Sequence, residues 1–340
     1  MTSLASTTAA RLGQAVLLLL VMSLIGFIGI HSVGNPVFNV VNIETATPQD
    51  IQRATIALGL DQPIWTQYLK FICNVFRGDF GTSYIYHEPA LSLVMSKLPA
   101  TLELACLAML VAAPLGVGLG LFAGTRSKGE ARRNRVGLQS EGAISDGLIL
   151  RLSVFALSVP AFWLSMMLIL VGAIISGWLP PGGRGETVRV LGEDWSFLTL
   201  DGLRHMVLPT LALAIPNIAL IARLARAGTI EAGRMEFTRF CRAKGLAPRM
   251  IMLRHTLPNI GVPLITIIGL QFGGMLAFAV VVESIFAWPG VGKLLIDSIQ
   301  LLDRPVVMAT LTFISIAFVL LNALVDLLQA LLDPRVRQSA

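Results

Sequence analysis

The sequence predicts an all-α integral membrane protein with six transmembrane helices. Of its 340 residues, 55% are hydrophobic and only 14% are charged, a composition that soluble domains rarely have. Apolar runs of about 20 residues, the length that crosses a bilayer, recur along the chain. These runs are continuously apolar and lack the alternation that marks the strands of a membrane β-barrel.

The predicted spans are residues 12–30, 100–124, 152–177, 205–228, 261–282 and 306–332. The first span follows Arg11, as the apolar part of a secretory signal would. It has the length of a full span, however, and no small-residue cleavage pattern follows it. We therefore expect it to remain as an uncleaved helix.

Basic residues orient these spans. The loops at 125–151 and 223–260 are rich in Arg and Lys, whereas the stretches at 32–99, 178–204 and 284–305 balance their basic residues with Asp and Glu. Because basic loops stay in the cytoplasm, both of those loops and both termini are predicted to be cytoplasmic. The same distribution accounts for the net charge of +6 without a nucleic-acid partner.

The outer stretch after the first span is too long for a simple connection. TPQDIQRATIALGL predicts a short helix capped by Thr47, with Pro48 at its first position. IWTQYLKFICNVF predicts a second helix, with aromatic residues placed to lie at the lipid headgroups. These residues are Trp65, Tyr68, Phe71 and Phe76. The predicted division is a first span with an outer subdomain (1–97), a five-helix core (98–332) and a cytoplasmic tail (333–340).

Glycines four residues apart predict close helix packing within the bundle. They are Gly116, Gly120 and Gly124 in the second span, and Gly269 and Gly273 in the fifth. In lipid, small residues at this spacing let two backbones approach. The alternative is that these faces line a path or slide during gating.

Polar groups within the spans are few. Gln271 lies plainly at mid-span, Glu283 lies near an outer end, and Trp288 follows in a loop interrupted by Pro and Gly. All three are candidates for the pathway or its gate, and Trp288 is alternatively an interfacial anchor. A carrier driven by protons or sodium would need carboxylates near the midplane, so the sequence disfavours that class.

The stretch EFTRFCRAKGLAPRMIMLRHTLPN, residues 236–259, predicts a cytoplasmic helix-turn-helix. Its first helix opposes Met235, Phe240 and Ala243 to a basic face. Gly245 then permits a turn, and Pro248 begins the next helix. Taken alone, the pattern fits a membrane-surface anchor slightly better than a docking element.

RAKGLAPRMIMLRHTLPN resembles the coupling loop of binding-protein-dependent ABC transporter permeases, and most of all their dipeptide, oligopeptide and nickel branch. Further matching motifs run in the family's order over nearly the whole chain. They are LGLDQPIWTQYLKF, RGDFGTSY, LPATLELA, LSVPAFWLSMMLIL, ESIFAWPGVGKLLIDSI, DRPVV and LVDLLQALLDPRVR. The inner loop at 125–151 is longer than the family's usual one. The extra residues would either contact the ATPase or anionic lipid or form a solvated insertion.

The resemblance implies the six-helix permease fold and a non-catalytic subunit of an ATP-driven importer in the bacterial inner membrane. Its cargo would be di- or oligopeptides, or alternatively nickel, glutathione or another small solute. Implied partners are a second homologous permease subunit, two cytoplasmic ATP-binding subunits, an extracytoplasmic solute-binding protein and membrane lipids. ATP and Mg²⁺ would be held by those ATPases, since this chain has no phosphate-binding loop. Within the coupling loop, 229–258, the implied ATPase contacts are Glu236, Arg239, Phe240, Arg242, Ala243, Lys244, Gly245 and His255.

Two other classes compete with this interpretation. A stand-alone carrier or channel is disfavoured by the sparse midplane charge and the elaborate inner loop. A membrane enzyme would need a catalytic constellation, but the four histidines are scattered and lie in no catalytic motif. The three cysteines are too far apart to predict a disulfide framework or a metal site.

Overall fold

The computed structural model describes residues 4–34, 36, 37, 41, 47–134, 151, 153 and 155–332. The predicted tail at 333–340 and most of the long inner loop lie outside these ranges. The helices are α1 (Leu4–Val33), α2 (Pro48–Ala57), α3 (Ile64–Phe76), α4 (Ala90–Asn134), α5 (Ala161–Ile169), α6 (Leu200–Ala232), α7 (Glu236–Ala243), α8 (Pro248–Ile251), α9 (Leu257–Ile285), α10 (Val291–Gln300) and α11 (Arg304–Leu332).

Two π-helical turns and one small hairpin complete the described architecture. Leu170–Ile175 extends α5, and Met252–Thr256 joins α8 to α9 without a break. The strands β1 (Val188–Val190) and β2 (Glu193–Trp195) pair antiparallel. The sequence did not predict this hairpin, because three-residue strands are too short to carry a periodic signal.

Five of the predicted spans are helices long and apolar enough to cross a membrane. They are Gly13–Val33, Ala90–Thr125, Leu200–Ala232, Pro248–Ile285 and Arg304–Val325. The third predicted span differs, because its helix stops before Pro160 and restarts as the shorter apolar helix Ala161–Ile175. Proline disfavours helical geometry in the residue before it, which explains why the predicted continuous helix over 152–177 is broken.

The core of the bundle lies where α4 packs along α6 and where α9 meets both. A Cβ added at Gly120 would lie 2.5 Å from the carbonyl oxygen of Ala222, and one added at Gly124 would lie 2.6 Å from the Cβ of Thr229. Gly116 lies against Ile221 in the same way. The three glycines therefore let the α4 and α6 backbones come within direct contact.

The two glycines of α9 lie against α11. A Cβ added at Gly269 would overlap the side chain of Val325, and one at Gly273 would lie 3.2 Å from the ring of Phe318. Both groups of glycines spaced four residues apart therefore lie at contacts between two helices. Small residues at such contacts allow the close packing that holds helices together in lipid.

The outer segment contains both helices that the sequence predicted there. Thr47 caps α2 with Pro48 at its first position, and the Asp50 carboxylate accepts the Thr47 N–H at 3.1 Å. On α3, the Tyr68 hydroxyl hydrogen-bonds the Ser23 hydroxyl of α1 at 3.0 Å. Tyr68 thus packs on α1 together with Phe71, and the placement of the α3 aromatics at the headgroups stays a prediction. Trp65 and Phe76 are exposed.

Candidate functional site

The predicted coupling loop forms a compact hairpin of α7 and α8 at the end of α6. The Thr238 hydroxyl donates to the Ala232 carbonyl at 2.6 Å, and Cys241, one turn further along α7, is also buried. The opposite face of α7 is open. Its exposed residues are Glu236, Arg239, Phe240, Arg242, Ala243, Lys244 and Gly245.

The apolar face of α7 differs from the predicted one. Thr238 and Cys241 are buried, whereas Phe240 is 61% exposed and Ala243 is exposed beside it. The Lys244 ammonium lies 4.5 Å from the centre of the Phe240 ring, in a cation–π contact. Phe240 therefore belongs to the cationic outer surface and not to the packed side.

Gly245 ends α7 in a Schellman motif. Its φ is +76°, a left-handed conformation that other residues adopt only under strain. The Gly245 N–H donates to the Arg242 carbonyl at 3.0 Å, and the Leu246 N–H donates to the Cys241 carbonyl at 3.2 Å. Pro248 then begins α8, so the predicted turn and restart both occur. His255, in the π-helical turn, is only half-buried.

At the end of α6 and α9 opposite the hairpin, Glu283 and Trp288 lie in a closely packed cap, which the sequence predicts to be on the outer side. Glu283 is fully buried, and its carboxylate accepts the Thr101 hydroxyl at 2.7 Å and the Gly292 and Lys293 N–H groups at 2.7 and 3.1 Å. Those two N–H groups belong to the first turn of α10, so Glu283 caps that helix.

Trp288 is fully buried, and its indole N–H donates to the Ala100 carbonyl at 2.9 Å. The alternative interpretation of Trp288 as an interfacial anchor is therefore wrong. The tryptophan closes the core between α4 and the end of α9. A gating role for Glu283 and Trp288 stays a prediction, with both side chains held inside the cap.

A second buried carboxylate secures the outer loop that carries the β-hairpin. Glu103 of α4 lies 2.9 Å from the Arg184 guanidinium and also accepts the Ser196 and Phe197 N–H groups at 2.6 and 2.7 Å. Arg184 lies in turn over the Trp288 ring, 5.8 Å from its centre. An acidic residue inside an apolar run was the sequence signal, but the sequence did not identify Arg184 as its partner.

Two separate motifs of the predicted family meet on the outer side. Asp303, from DRPVV, is fully buried and accepts hydrogen bonds from the Ser83 hydroxyl and the Tyr84 N–H of RGDFGTSY. Burial raises the pKa of the Tyr84 phenol above its usual value. This junction ties the segment before α4 to the start of α11.

Gln271 lies at the middle of α9. Its side-chain N–H donates to the side-chain oxygen (Oδ1) of Asn217 on α6 at 2.8 Å. Asn217 donates in turn to the Leu213 carbonyl at 2.8 Å. Gln271 was predicted as a mid-span polar group, whereas Asn217 was not. The signal was the same in both cases, an amide in the centre of an apolar run.

These features define a multi-span membrane protein with a buried, hydrogen-bonded cap at one end of its long helices and an exposed basic hairpin at the other. The chain belongs to the family described as binding-protein-dependent transport system inner membrane component, whose model matches residues 116–338. The N-terminal model of the same kind of component matches residues 7–105. The chain is thus an integral inner-membrane protein and a transport permease component, as its motifs predicted.

Curated relatives match the chain along nearly its full length. The di/tripeptide transport system permease protein DppB of Pseudomonas aeruginosa is 33% identical over 98% of each chain. The dipeptide transport system permease protein DppB of Escherichia coli K12 is 32% identical over 96% of this chain and 97% of its own. The glutathione transport system permease protein GsiC of the same strain is 34% identical over 94% of each chain.

Proposed function

We propose that this chain is a permease subunit of an ATP-driven importer whose cargo is a di- or oligopeptide. The observation that carries the cargo proposal is full-length similarity to permeases named for dipeptides and tripeptides. The glutathione permease fits the same chemical class, because glutathione is itself a tripeptide. A second homologous permease subunit would complete the pathway, and a solute-binding protein would deliver the peptide on the outer side.

The exposed face of α7 is the surface we assign to a cytoplasmic ATP-binding subunit. Arg239, Arg242 and Lys244 surround Phe240, and aromatic and arginine side chains are the groups that dominate interface energetics. Thr238 and Cys241 hold the other face of α7 against the bundle. Movement of a docked subunit would therefore pass into α6 and α9. ATP and Mg²⁺ would be bound by that subunit, and this chain would carry no catalytic residue.

The packing of α7 favours protein docking over a membrane-surface anchor. An interfacial helix needs a broad exposed apolar face to insert among lipid headgroups. Within α7, Cys241 is buried and Phe237 packs into the bundle, so Phe240 is the exposed large apolar side chain of this helix, and its neighbours Arg239 and Arg242 are charged. We therefore place this hairpin, and with it both chain termini, on the cytoplasmic side, in agreement with the distribution of basic loops.

The test is peptide uptake and ATPase retention in the assembled transporter. A strain lacking this subunit, complemented with the chain and its partners, should accumulate labelled dipeptide. Arg242→Glu should lower both uptake and copurification of the ATP-binding subunit by about tenfold, since a hot-spot arginine contributes about 1–2 kcal/mol or more. Arg53→Glu reverses an exposed charge on α2 at the outer side and should leave the ATPase bound.

Two results would contradict the proposal separately. Full ATPase retention and uptake in the Arg242→Glu transporter would remove the docking assignment. Uptake of neither dipeptide nor glutathione by the wild-type transporter would remove the cargo assignment and leave the family membership untouched.

A further inference from the structure

A cavity of about 350 Å³ opens between α5, α6 and α9, near the middle of the bundle. That volume falls within the ~300–1,000 Å³ of typical small-molecule sites, which are mostly apolar with a few polar groups. The wall is apolar, with Phe278 of α9 prominent in it. Among the described lining residues only Asn217 and Gln271 have polar side chains.

Two prolines interrupt helical hydrogen bonding at this cavity. Pro160 breaks the third apolar segment where it lines the cavity, and Pro216 lies inside α6. Because Pro216 has no N–H, the carbonyl of Ala212, another lining residue, lacks its helical donor. Interrupted backbone at membrane depth is tolerated only where it is buried in protein or lines a cavity that holds water or ligand. Such breaks also mark the binding sites of other transporters.

The two side-chain amides that line this space are not fully paired. Asn217 donates one N–H to the Leu213 carbonyl and accepts an N–H of Gln271 on its side-chain oxygen. The carbonyl oxygen of Gln271 accepts no hydrogen bond from any described residue, and the side chain is only half-buried. A polar atom without a partner in an apolar setting is costly, so this oxygen is suited to a visiting donor.

The lining determines which groups of a peptide it can contact. None of the described lining residues is charged, so this wall offers no counterion to the terminal ammonium and carboxylate of a peptide. The groups that it can contact are the peptide bond and apolar side chains. A peptide bond supplies an N–H, and the apolar wall around Phe278 and Met275 can take the neighbouring side chains.

We propose that this cavity holds the peptide cargo during its passage, with the carbonyl oxygen of Gln271 accepting the N–H of a peptide bond and Asn217 positioning that amide. The inference rests on the proposed function and adds to it a contact point inside the membrane. A single hydrogen bond with an apolar wall gives a weak hold, which passage requires, because cargo must be able to leave as well as enter.

The first experiment compares two cargoes in the complete transporter, reconstituted in liposomes with ATP on the cytoplasmic side and the solute-binding protein on the outer side. Uptake of Ala-Ala is measured against its analogue methylated on the peptide nitrogen. Gln271→Met keeps the size of the side chain and removes the amide. The wild-type ratio of Ala-Ala to methylated uptake should exceed the Gln271→Met ratio by about fivefold to tenfold.

This ratio isolates the membrane contact. The solute-binding protein is the same in both transporters, so its own preference cancels. Leu270→Met is the matched control, because Leu270 is the exposed neighbour of Gln271 and does not line the cavity. Its ratio should equal the wild-type ratio.

The second experiment asks whether cargo enters the cavity. In a transporter whose native cysteines are replaced, Phe278→Cys should react with an uncharged methanethiosulfonate during turnover, and saturating dipeptide should slow the reaction. Leu270→Cys should show no protection by dipeptide.

Equal cargo ratios in the wild type and Gln271→Met, or no protection of Phe278→Cys, would overturn the inference while wild-type peptide uptake kept the proposed function intact. Absence of uptake of any peptide by the wild type would overturn the proposed function and the inference together.

Discussion

Replacement of Glu283 by Gln tests how the outer cap is held. The carboxylate accepts two N–H groups from the first turn of α10 and the hydroxyl of Thr101. The amide of the variant side chain would offer one acceptor oxygen in place of two. If that oxygen faces the N–H groups of α10, its hydrogen bonds become neutral ones and the Thr101 hydroxyl loses its acceptor.

The expected loss follows from these contacts. A hydrogen bond to a charged group contributes about 1.5–3 kcal/mol and a neutral one about 0.5–1.5, so the two N–H contacts lose about 1 kcal/mol each. The orphaned Thr101 hydroxyl adds about 1 kcal/mol, and removal of a buried charge returns part of the sum. The free energy for local opening of α10 should therefore fall by about 2 kcal/mol.

Hydrogen exchange of the assembled transporter measures this opening. Amides in the first turns of α10 should exchange about 30-fold faster in Glu283→Gln, the rate ratio that corresponds to 2 kcal/mol. Glu193→Gln, an exposed change on β2, should leave α10 unaffected. Exchange in α10 within about threefold of wild type would refute the capping role of the carboxylate.

Three further changes test other parts of the fold. Gly120→Ala should lower the free energy of unfolding by about 1–3 kcal/mol through overpacking against α6. Gly118 has open space around it, so Gly118→Ala should not lower it. Equal melting temperatures of the two variants would contradict the α4–α6 contact. Gly245→Ala should destabilise the end of α7 by about 1–2 kcal/mol because Gly245 has a positive φ. Gly261→Ala should leave α7 unchanged. Hydrogen exchange of the α7 amides measures both effects. Hydrogen bonds from the Thr47 hydroxyl, and then from its backbone N–H, hold the pKa of Asp50 below its usual 3.8. The contribution of this cap to α2 should therefore be full above that pH and decline as the pH falls through the lowered pKa; protection of α2 that does not change over that range would contradict the cap.

The basic hairpin shows how far a local pattern can predict a site. Gly245 and Pro248 determine where the turn occurs and where the next helix begins, through backbone preferences that act within a few residues. The pattern placed Phe240 on a face opposite the basic residues, whereas in the structure it lies exposed among them, since the inner face of α7 depends on how it packs against the bundle. Thr238 reaches the end of α6 and thereby turns Phe240 outward.

Trp288 illustrates the opposite case. Beside an apolar span, a tryptophan next to proline and glycine is typical of an interfacial anchor. Its burial depends on the Ala100 carbonyl and on Arg184, both distant in the chain. Only the packing of α4 against the end of α9 brings them together.

The sequence alone determined where the apolar segments lie, which loops are basic, and how α2 and α7 begin or end, because hydrophobicity, charge and backbone preference act over one helix or one turn. The positions of Glu103, Glu283 and Gln271 in or at the ends of apolar runs are likewise visible in the sequence. The tertiary structure alone decided their partners. Arg184, the start of α10 and Asn217 come within hydrogen-bond distance only after the helices pack, and a buried polar group is satisfied by whichever donor or acceptor that packing supplies.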